Sequence, residues 1–198
     1  MARTPDLERR QELLDRIVLY LADHGLAQVT LRPMAAALDV SINRLVHHFG
    51  SKEELVSTAL QRAIDVQIEV QNSWFARNPN LSLVDLYRRW WRWINESEQN
   101  LALVRLNYEA AALDTKITGL AGSVRADQIG VWRHVANDHF VVAGMSSDQA
   151  ALESSIAKAT FTGLVAAAPK SLDSAAAMKA FVAATPGAIA ARSARPPA

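Results

Sequence analysis

Four polar side chains share one face of a helix if residues 42 to 48 are helical. Asn43, Arg44, His47 and His48 have the spacing i, i+1, i+4 and i+5. Asparagine can pair with adenine and arginine with guanine, and histidine can donate to a phosphate or a base. An ordinary solvated helix face would have the same composition. Metal binding is the weakest interpretation, because adjacent side chains point about 100° apart and no third ligand has a suitable spacing.

Two short helices joined by a tight turn are predicted to carry this face. Thr30 can cap the first helix, which ends near Leu38, and Ser41 can cap the second. Asp39 and Val40 form the connection. Such a pair, with longer helices before and after it, is a helix-turn-helix module. This context favours contact with DNA over a merely solvated face.

Longer helices are predicted on both sides of the pair. Thr4 and Pro5 favour the start of the first helix, and Gly25 suits its end. Ser51 and Glu54 form a capping box that opens another long helix. The N-terminus of that helix is a natural phosphate site.

The polar face lies opposite an apolar one. Val40, Leu45 and Phe49 are spaced to point inward. Arg32 and Lys52 add two cationic groups that could reach a phosphate or a base edge.

These residues resemble the N-terminal signature of the tetracycline-repressor (TetR) family of transcriptional regulators. The resemblance covers about 50 residues, and it lies in Gly25, Thr30-Leu31-Arg32, Met34-Ala35, Val40-Ser41, Leu45 and the run from His48 to Leu55. It implies a homodimer whose variable C-terminal domain binds a small effector that releases the DNA operator. The residues predicted to contact DNA are Thr30, Arg32, Ser41, Asn43, Arg44, His47, His48 and Lys52.

Three positions depart from the family pattern. Asp39 stands where glycine is common, although aspartate tolerates the left-handed conformation better than most residues. Val46 stands where a tyrosine hydroxyl often touches a phosphate. Arg44 replaces a residue that is usually small, so no operator sequence can be carried over.

The whole chain is predicted to be all-α. Residues 1–50 form the predicted DNA-binding domain, and residues 51–198 form the predicted effector-binding and dimerisation domain. Capping residues, proline and glycine place its helices at about Ser82–Ser97, Leu101–Leu113, Gly119–Asn137, Asp148–Ala168 and Asp173–Ala184.

Aromatic residues suggest where an effector could bind. Trp90 and Trp93 share a helix face, away from most of the nearby arginines. A core stripe and the wall of an effector pocket are both open interpretations, because ligand pockets are apolar with a few polar groups. The predicted ligand-binding residues are Trp74, Leu86, Trp90, Trp93, Arg105, Tyr108, Glu109, Ile129, Trp132 and Phe161. The polar side chains in this set could equally form hydrogen bonds with other helices.

Two late helices carry many small residues and could pair with their symmetry mates. Packing within the chain is the alternative. The resemblance implies a two-fold four-helix interface, which would place two reading helices at successive major grooves. The predicted interface residues are Leu152, Ile156, Thr160, Gly163, Leu164, Met178, Phe181 and Val182.

Composition narrows the classes of protein. The chain has 198 residues, a formal net charge of +1 and no cysteine. Lack of cysteine excludes disulfides, thiolate metal sites and cysteine nucleophiles. No apolar run is long enough for a membrane span, and the charged N-terminus does not read as a signal peptide. We therefore expect a cytoplasmic protein with no membrane partner and no cofactor.

A ligand-responsive regulator, most simply a repressor, is the function that these patterns favour. Motifs for a phosphate-binding loop, a zinc protease or a serine hydrolase are missing from the sequence, so an enzyme is not expected. The alternative is a helical ligand-binding or interaction protein whose reading helix has weak or lost specific DNA binding.

Overall fold

A computed structural model describes residues 4–27, 29–78, 81–113, 136–166 and 176–181. All regular structure in these ranges is α-helical, which confirms the predicted fold class. The helices are α1 (Thr4–His24), α2 (Leu31–Ala37), α3 (Ile42–Phe49), α4 (Lys52–Arg77), α5 (Leu83–Glu96), α6 (Glu98–Leu113), α7 (described over 136–142), α8 (Ser147–Ala166) and α9 (described over 176–181).

Local signals set the ends of the first helices. Gly25 follows α1 with φ +76°, and its N–H donates to the Leu21 carbonyl at 2.8 Å. This left-handed glycine satisfies a carbonyl that the end of a helix would leave free. Asp39 also has a positive φ of 53°, so aspartate adopts the conformation that the tight turn requires.

The caps of α3 and α4 form as predicted. Ser41 Oγ accepts the Arg44 N–H at 3.1 Å. The Ser51 N–H donates to Glu54 Oε2 at 2.7 Å, while the Glu54 N–H donates to Ser51 Oγ at 3.2 Å. This reciprocal pair is a complete capping box. Thr30 occupies the N-cap position of α2, but its side chain makes no capping bond, so that detail of the prediction was wrong.

Contacts divide the described residues into two compact units. The first contains the described residues up to Asn72 together with α6, and the second contains Ser73–Ser97 and the described residues from 136 onward. The boundary predicted after residue 50 divides a DNA-binding domain from an effector-binding and dimerisation domain, and it stays a prediction.

In the first unit, α1 packs against α2 and α6, and its Arg10 side chain contacts the end of α3. Its apolar stripe is buried, including Ile17 and Leu21, which are completely inaccessible to solvent. The α6 helix begins at Glu98, earlier than the predicted Leu101. The Glu109 carboxylate of α6 accepts the Leu26 N–H at 2.8 Å, just after α1 ends. This bond joins two segments 83 residues apart.

In the second unit, Ser82 caps α5 by accepting the Asp85 N–H at 3.1 Å. Tyr87, Trp90 and Ile94 of α5 are buried. Gly144 ends α7 with φ +93°, and α8 spans nearly the range predicted for it. The predicted helix at 119–137 lies almost wholly outside the described residues. Among those described, no helix is long and apolar enough to cross a bilayer.

Candidate nucleic-acid interface

Helix α3 separates its core face from its polar face. Leu45 is 0% and Phe49 is 5% exposed, whereas Asn43, Arg44 and His47 are all exposed. Because the apolar residues anchor one side, the polar residues on the other are held outward at defined positions. This is the geometry that the spacing predicted for a reading helix.

Two arginines of α1 bond to the C-terminal ends of α2 and α3. Arg10 Nε donates to the His48 carbonyl at 3.2 Å, and its Cζ lies 4.8 Å from the centroid of the Phe49 ring. Arg16 donates to the Leu38 carbonyl, where α2 ends. Each cation meets carbonyls at a helix C-terminus, where positive charge is stabilising. Sequence reasoning missed both arginines, because a backbone carbonyl acceptor has no residue-type signal.

The remaining predicted DNA contacts occupy two kinds of environment. Arg32 and Thr30 are exposed, and the Thr30 side chain makes no capping hydrogen bond. His48 is only half-buried rather than fully outward, and its ring lies edge-on to His47 with centroids 5.2 Å apart. Lys52 is exposed, with its Nζ 3.6 Å from Glu53 Oε1. An exposed pair of this kind is weak and leaves the ammonium available.

The capping box next to Lys52 also shifts the pKa of its own glutamate, Glu54. The Ser51 backbone N–H, and then the Ser51 hydroxyl, hold the pKa of Glu54 below its ordinary value. The cap therefore favours the ionised form of the Glu54 carboxylate.

Comparison with known proteins bears on this region. A family profile described as "Bacterial regulatory proteins, tetR family" matches residues 13–59, which span most of α1 through the first turns of α4. The N-terminal region of the chain is therefore similar to the TetR family of regulators. The expected family resemblance is thereby confirmed.

Curated repressors are similar to this chain over a segment of 57 residues. The transcriptional repressor KstR2 of Rhodococcus jostii is 40% identical over 57 residues, covering 29% of this chain and 28% of the relative. The KstR2 proteins of Mycolicibacterium smegmatis and Mycobacterium tuberculosis are each 39% identical over 57 residues. The matched segment thus spans little more than a quarter of each relative's length. These names describe repressors and not enzymes, in agreement with the expectation from sequence.

A solved structure extends the likeness to the whole fold. A Rhodococcus sp. protein assigned to the TetR family of transcriptional regulators superposes with a TM-score of 0.69 over 92% of this chain and 98% of that one. Sequence identity is only 18%, so this likeness establishes the fold alone.

Most of the predicted effector residues in the second unit are packed side chains. Trp90 lies 4.9 Å from Trp93 and 5.8 Å from Trp74, measured between ring centroids. Leu86, Trp90 and Phe161 are buried, and Tyr87 packs between Phe161 and Phe181 at 5.2 and 5.1 Å. Burial raises the pKa of the Tyr87 hydroxyl well above its ordinary range. The structure therefore brings the aromatic candidates together as core, and their contact with an effector stays a prediction.

The polar candidates on α6 have different environments. Arg105 is exposed and Tyr108 is half-buried, while Glu109 bonds the Leu26 backbone. Asn107 was left out of the predicted set, yet it is 6% exposed and neither amide atom has a partner within the described part of the chain. Ile129 and Trp132 lie outside the described residues.

The predicted interface residues differ in exposure. Leu152 and Ile156 are 60% and 46% exposed on α8, and Thr160 and Gly163 are also exposed. Leu164 is half-buried. Met178 is only 3% exposed and has little surface to offer a partner, whereas Phe181 is half-buried and packs on Tyr87. Val182 lies outside the described residues.

No metal site is evident in the described ranges, where no three histidine, aspartate or glutamate side chains cluster. The His47–His48 pair accordingly has no third ligand among these residues.

Proposed function

We propose that this chain is a transcriptional repressor that binds a pseudo-palindromic operator as a homodimer and leaves it when a small, largely apolar effector binds. The observation that carries the proposal is the division of α3 into a buried face and an exposed face with Asn43, Arg44 and His47. The family match over residues 13–59 and the names of the relatives support the same function. A regulator of this kind works in the cytoplasm.

Helix α8 supports the dimer. Leu152, Ile156, Thr160 and Gly163 follow the spacing i, i+4, i+8 and i+11, so they form one exposed stripe. Two leucine-sized apolar side chains on such a stripe are typical of a surface that another helix covers. A two-fold axis at this stripe would duplicate α3, and reading helices of a dimer bind half-sites about 34–36 Å apart.

The aromatic side chains of the second unit support an apolar effector. Trp74, Trp90 and Trp93 supply large apolar surface, and Tyr87, on the same helix as Trp90 and Trp93, adds one buried hydroxyl-bearing ring. Release would follow by population shift, because the effector binds more tightly to a form whose reading helices are wrongly spaced for the operator. Effector then weakens DNA binding, and DNA weakens effector binding by the same factor.

The first experiment selects an operator from genomic DNA fragments and measures its affinity against a scrambled duplex. Arg44→Ala should lose about 1–3 kcal/mol of operator discrimination, because arginine contacts base edges. Lys52→Ala should weaken both duplexes about equally and reduce the salt slope by about 1, because its ammonium contacts a phosphate.

Arg92→Ala is the matched control, since Arg92 is an exposed arginine of α5. Unchanged operator affinity in Arg44→Ala and Lys52→Ala alike would contradict the assignment of these side chains. Tight small-molecule binding without any selected duplex would favour a ligand-binding protein instead.

The dimer is tested by the mass in solution. Ile156→Glu should shift the protein to half the mass in light scattering, whereas Lys158→Glu on another face of α8 should not. A wild-type monomer that still binds a palindromic operator would contradict the two-fold proposal.

A further inference from the structure

A solvent-open cleft of about 150 Å³ lies between α1 and the turn of the helix-turn-helix. Arg9, Glu12 and Arg16 of α1 line one side, and Asp39 of the turn and Arg44 of α3 line the other. The volume is several times the roughly 30 Å³ that one water molecule occupies in the liquid. A group larger than water therefore fits.

The cleft is built from charged groups that converge from separate elements. Arg9, Glu12 and Arg16 are spaced i, i+3 and i+7, so they share one face of α1. Arg16 is already committed to the Leu38 carbonyl. Within the described residues, Arg9 and Arg44 form no ion pair or hydrogen bond through their guanidinium groups. Two available guanidinium groups thus border one depression.

We propose that this cleft binds a phosphodiester of the DNA backbone through Arg9 of α1, next to Arg44, the residue proposed above to contact base edges. Arginine presents paired N–H donors that match phosphate geometry. Arg44 is the third residue of α3, and the N-terminal residues of a reading helix are those nearest the base edges. A group that shares a cleft with Arg44 is therefore placed beside the bound duplex. The inference rests on the proposed DNA binding by α3.

Glu12 gives the cleft a property that sharpens the test. Its carboxylate makes no ion pair within the described residues and faces the same space as the two arginines. A phosphodiester in the cleft meets repulsion from the carboxylates of Glu12 and Asp39 as well as attraction from Arg9. Removing Glu12 should strengthen DNA binding, and removing Arg9 should weaken it.

The experiment measures fluorescence anisotropy of an operator duplex and a scrambled duplex over about 50–200 mM salt. Arg9→Ala should weaken both duplexes by a similar factor, about three- to tenfold, and reduce the salt slope by about 1. Glu12→Gln should strengthen both by a few-fold. Arg92→Ala, an exposed arginine of α5, is the matched control and should change neither affinity by more than about twofold.

Each variant is first checked by circular dichroism and thermal unfolding, since both side chains are exposed and should not affect folding. If Arg9→Ala behaves like Arg92→Ala while Arg44→Ala loses discrimination, the cleft assignment falls and the proposed function stands. If wild type binds no duplex, both fall. If inorganic phosphate stabilises wild type but not Arg9→Ala, and DNA binding is unchanged, the cleft is a free-anion site and the DNA assignment is overturned.

Discussion

The helix-turn-helix and the second unit distribute their candidate functional residues in opposite ways. In α3 the candidates Asn43, Arg44 and His47 are exposed, and the core is supplied by Leu45 and Phe49 on the other side. In the second unit the candidates Leu86, Trp90 and Phe161 are themselves the core.

This difference matches the two kinds of ligand that we propose for the chain. DNA is a large surface that binds side chains projecting from a rigid support, so folding and recognition can use separate residues. A small apolar molecule binds inside a protein, where the same residues must fill space when the molecule is absent. Exposed candidates should therefore be replaceable without loss of stability, and buried candidates should not.

The largest effect is expected where an aromatic candidate is removed from the second unit. Trp90→Ala should lower the free energy of unfolding by about 3–5 kcal/mol, because it removes a buried indole that packs on Trp74 and Trp93. His47→Ala, on the exposed face of α3, should change it by less than about 0.5 kcal/mol. Denaturant unfolding of both variants is the measurement. If both substitutions lowered the free energy of unfolding equally, exposed and buried candidates would not differ in their contribution to stability.

A smaller effect tests the turn that orients α3. Asp39→Val should cost about 1–2 kcal/mol, because a β-branched residue is strained at φ 53°. Asp39→Gly should change stability by less than about 1 kcal/mol, since relief of backbone strain is offset by the greater freedom of glycine in the unfolded chain. Urea midpoints measure both. If valine is tolerated as well as glycine, the left-handed turn is not required.

These local features are also what sequence could predict. Gly25, Ser41, the Ser51–Glu54 box and Ser82 act through neighbours three or four positions away, so their roles are visible in residue type and spacing. The exposed face of α3 was predictable for the same reason, because helical period fixes which side chains share a side.

Long-range partners could not be predicted in this way. Arg10 and Arg16 bond carbonyls 38 and 22 positions distant, and any residue would present the same carbonyl. Glu109 was predicted either to anchor a ligand or to bond another part of the protein, and its carboxylate accepts the Leu26 N–H. A polar residue in an apolar helix indicates that a partner is needed, but only the packing of α6 on α1 determines which partner it finds.

Asn107 provides the next test, because it is a buried amide in a helix of the first unit. With neither amide atom bonded in the described ranges, its burial should cost free energy. Asn107→Leu should therefore raise the free energy of unfolding by about 1 kcal/mol. Ser154→Ala, which removes a buried hydroxyl that does have a partner in Ala150, should not raise it. Destabilisation by Asn107→Leu would mean that the amide is bonded in solution.

The smallest effect compares one capping carboxylate from each unit. Ser51 lowers the pKa of Glu54. The Ser82 hydroxyl is the main cause that lowers the pKa of Asp85; burial opposes this shift, and the contact with Arg88 adds to it. A lowered folded-state pKa means that the ionised form stabilises the fold. This contribution is present above the ordinary values of 4.5 and 3.8 and is lost as pH falls through the lower folded-state values.

Glu54→Gln and Asp85→Asn keep a hydrogen-bond acceptor but remove the titration. Each variant should be slightly less stable than wild type at neutral pH, and the difference should disappear in acid because protonation of wild type removes the same interaction. Unfolding free energies measured across pH 2–7 decide the point. A difference that stays constant with pH would show that the carboxylate charge plays no part in either cap. Loss of the effect in Asp85→Asn alone would confine this stabilisation to the cap of α4.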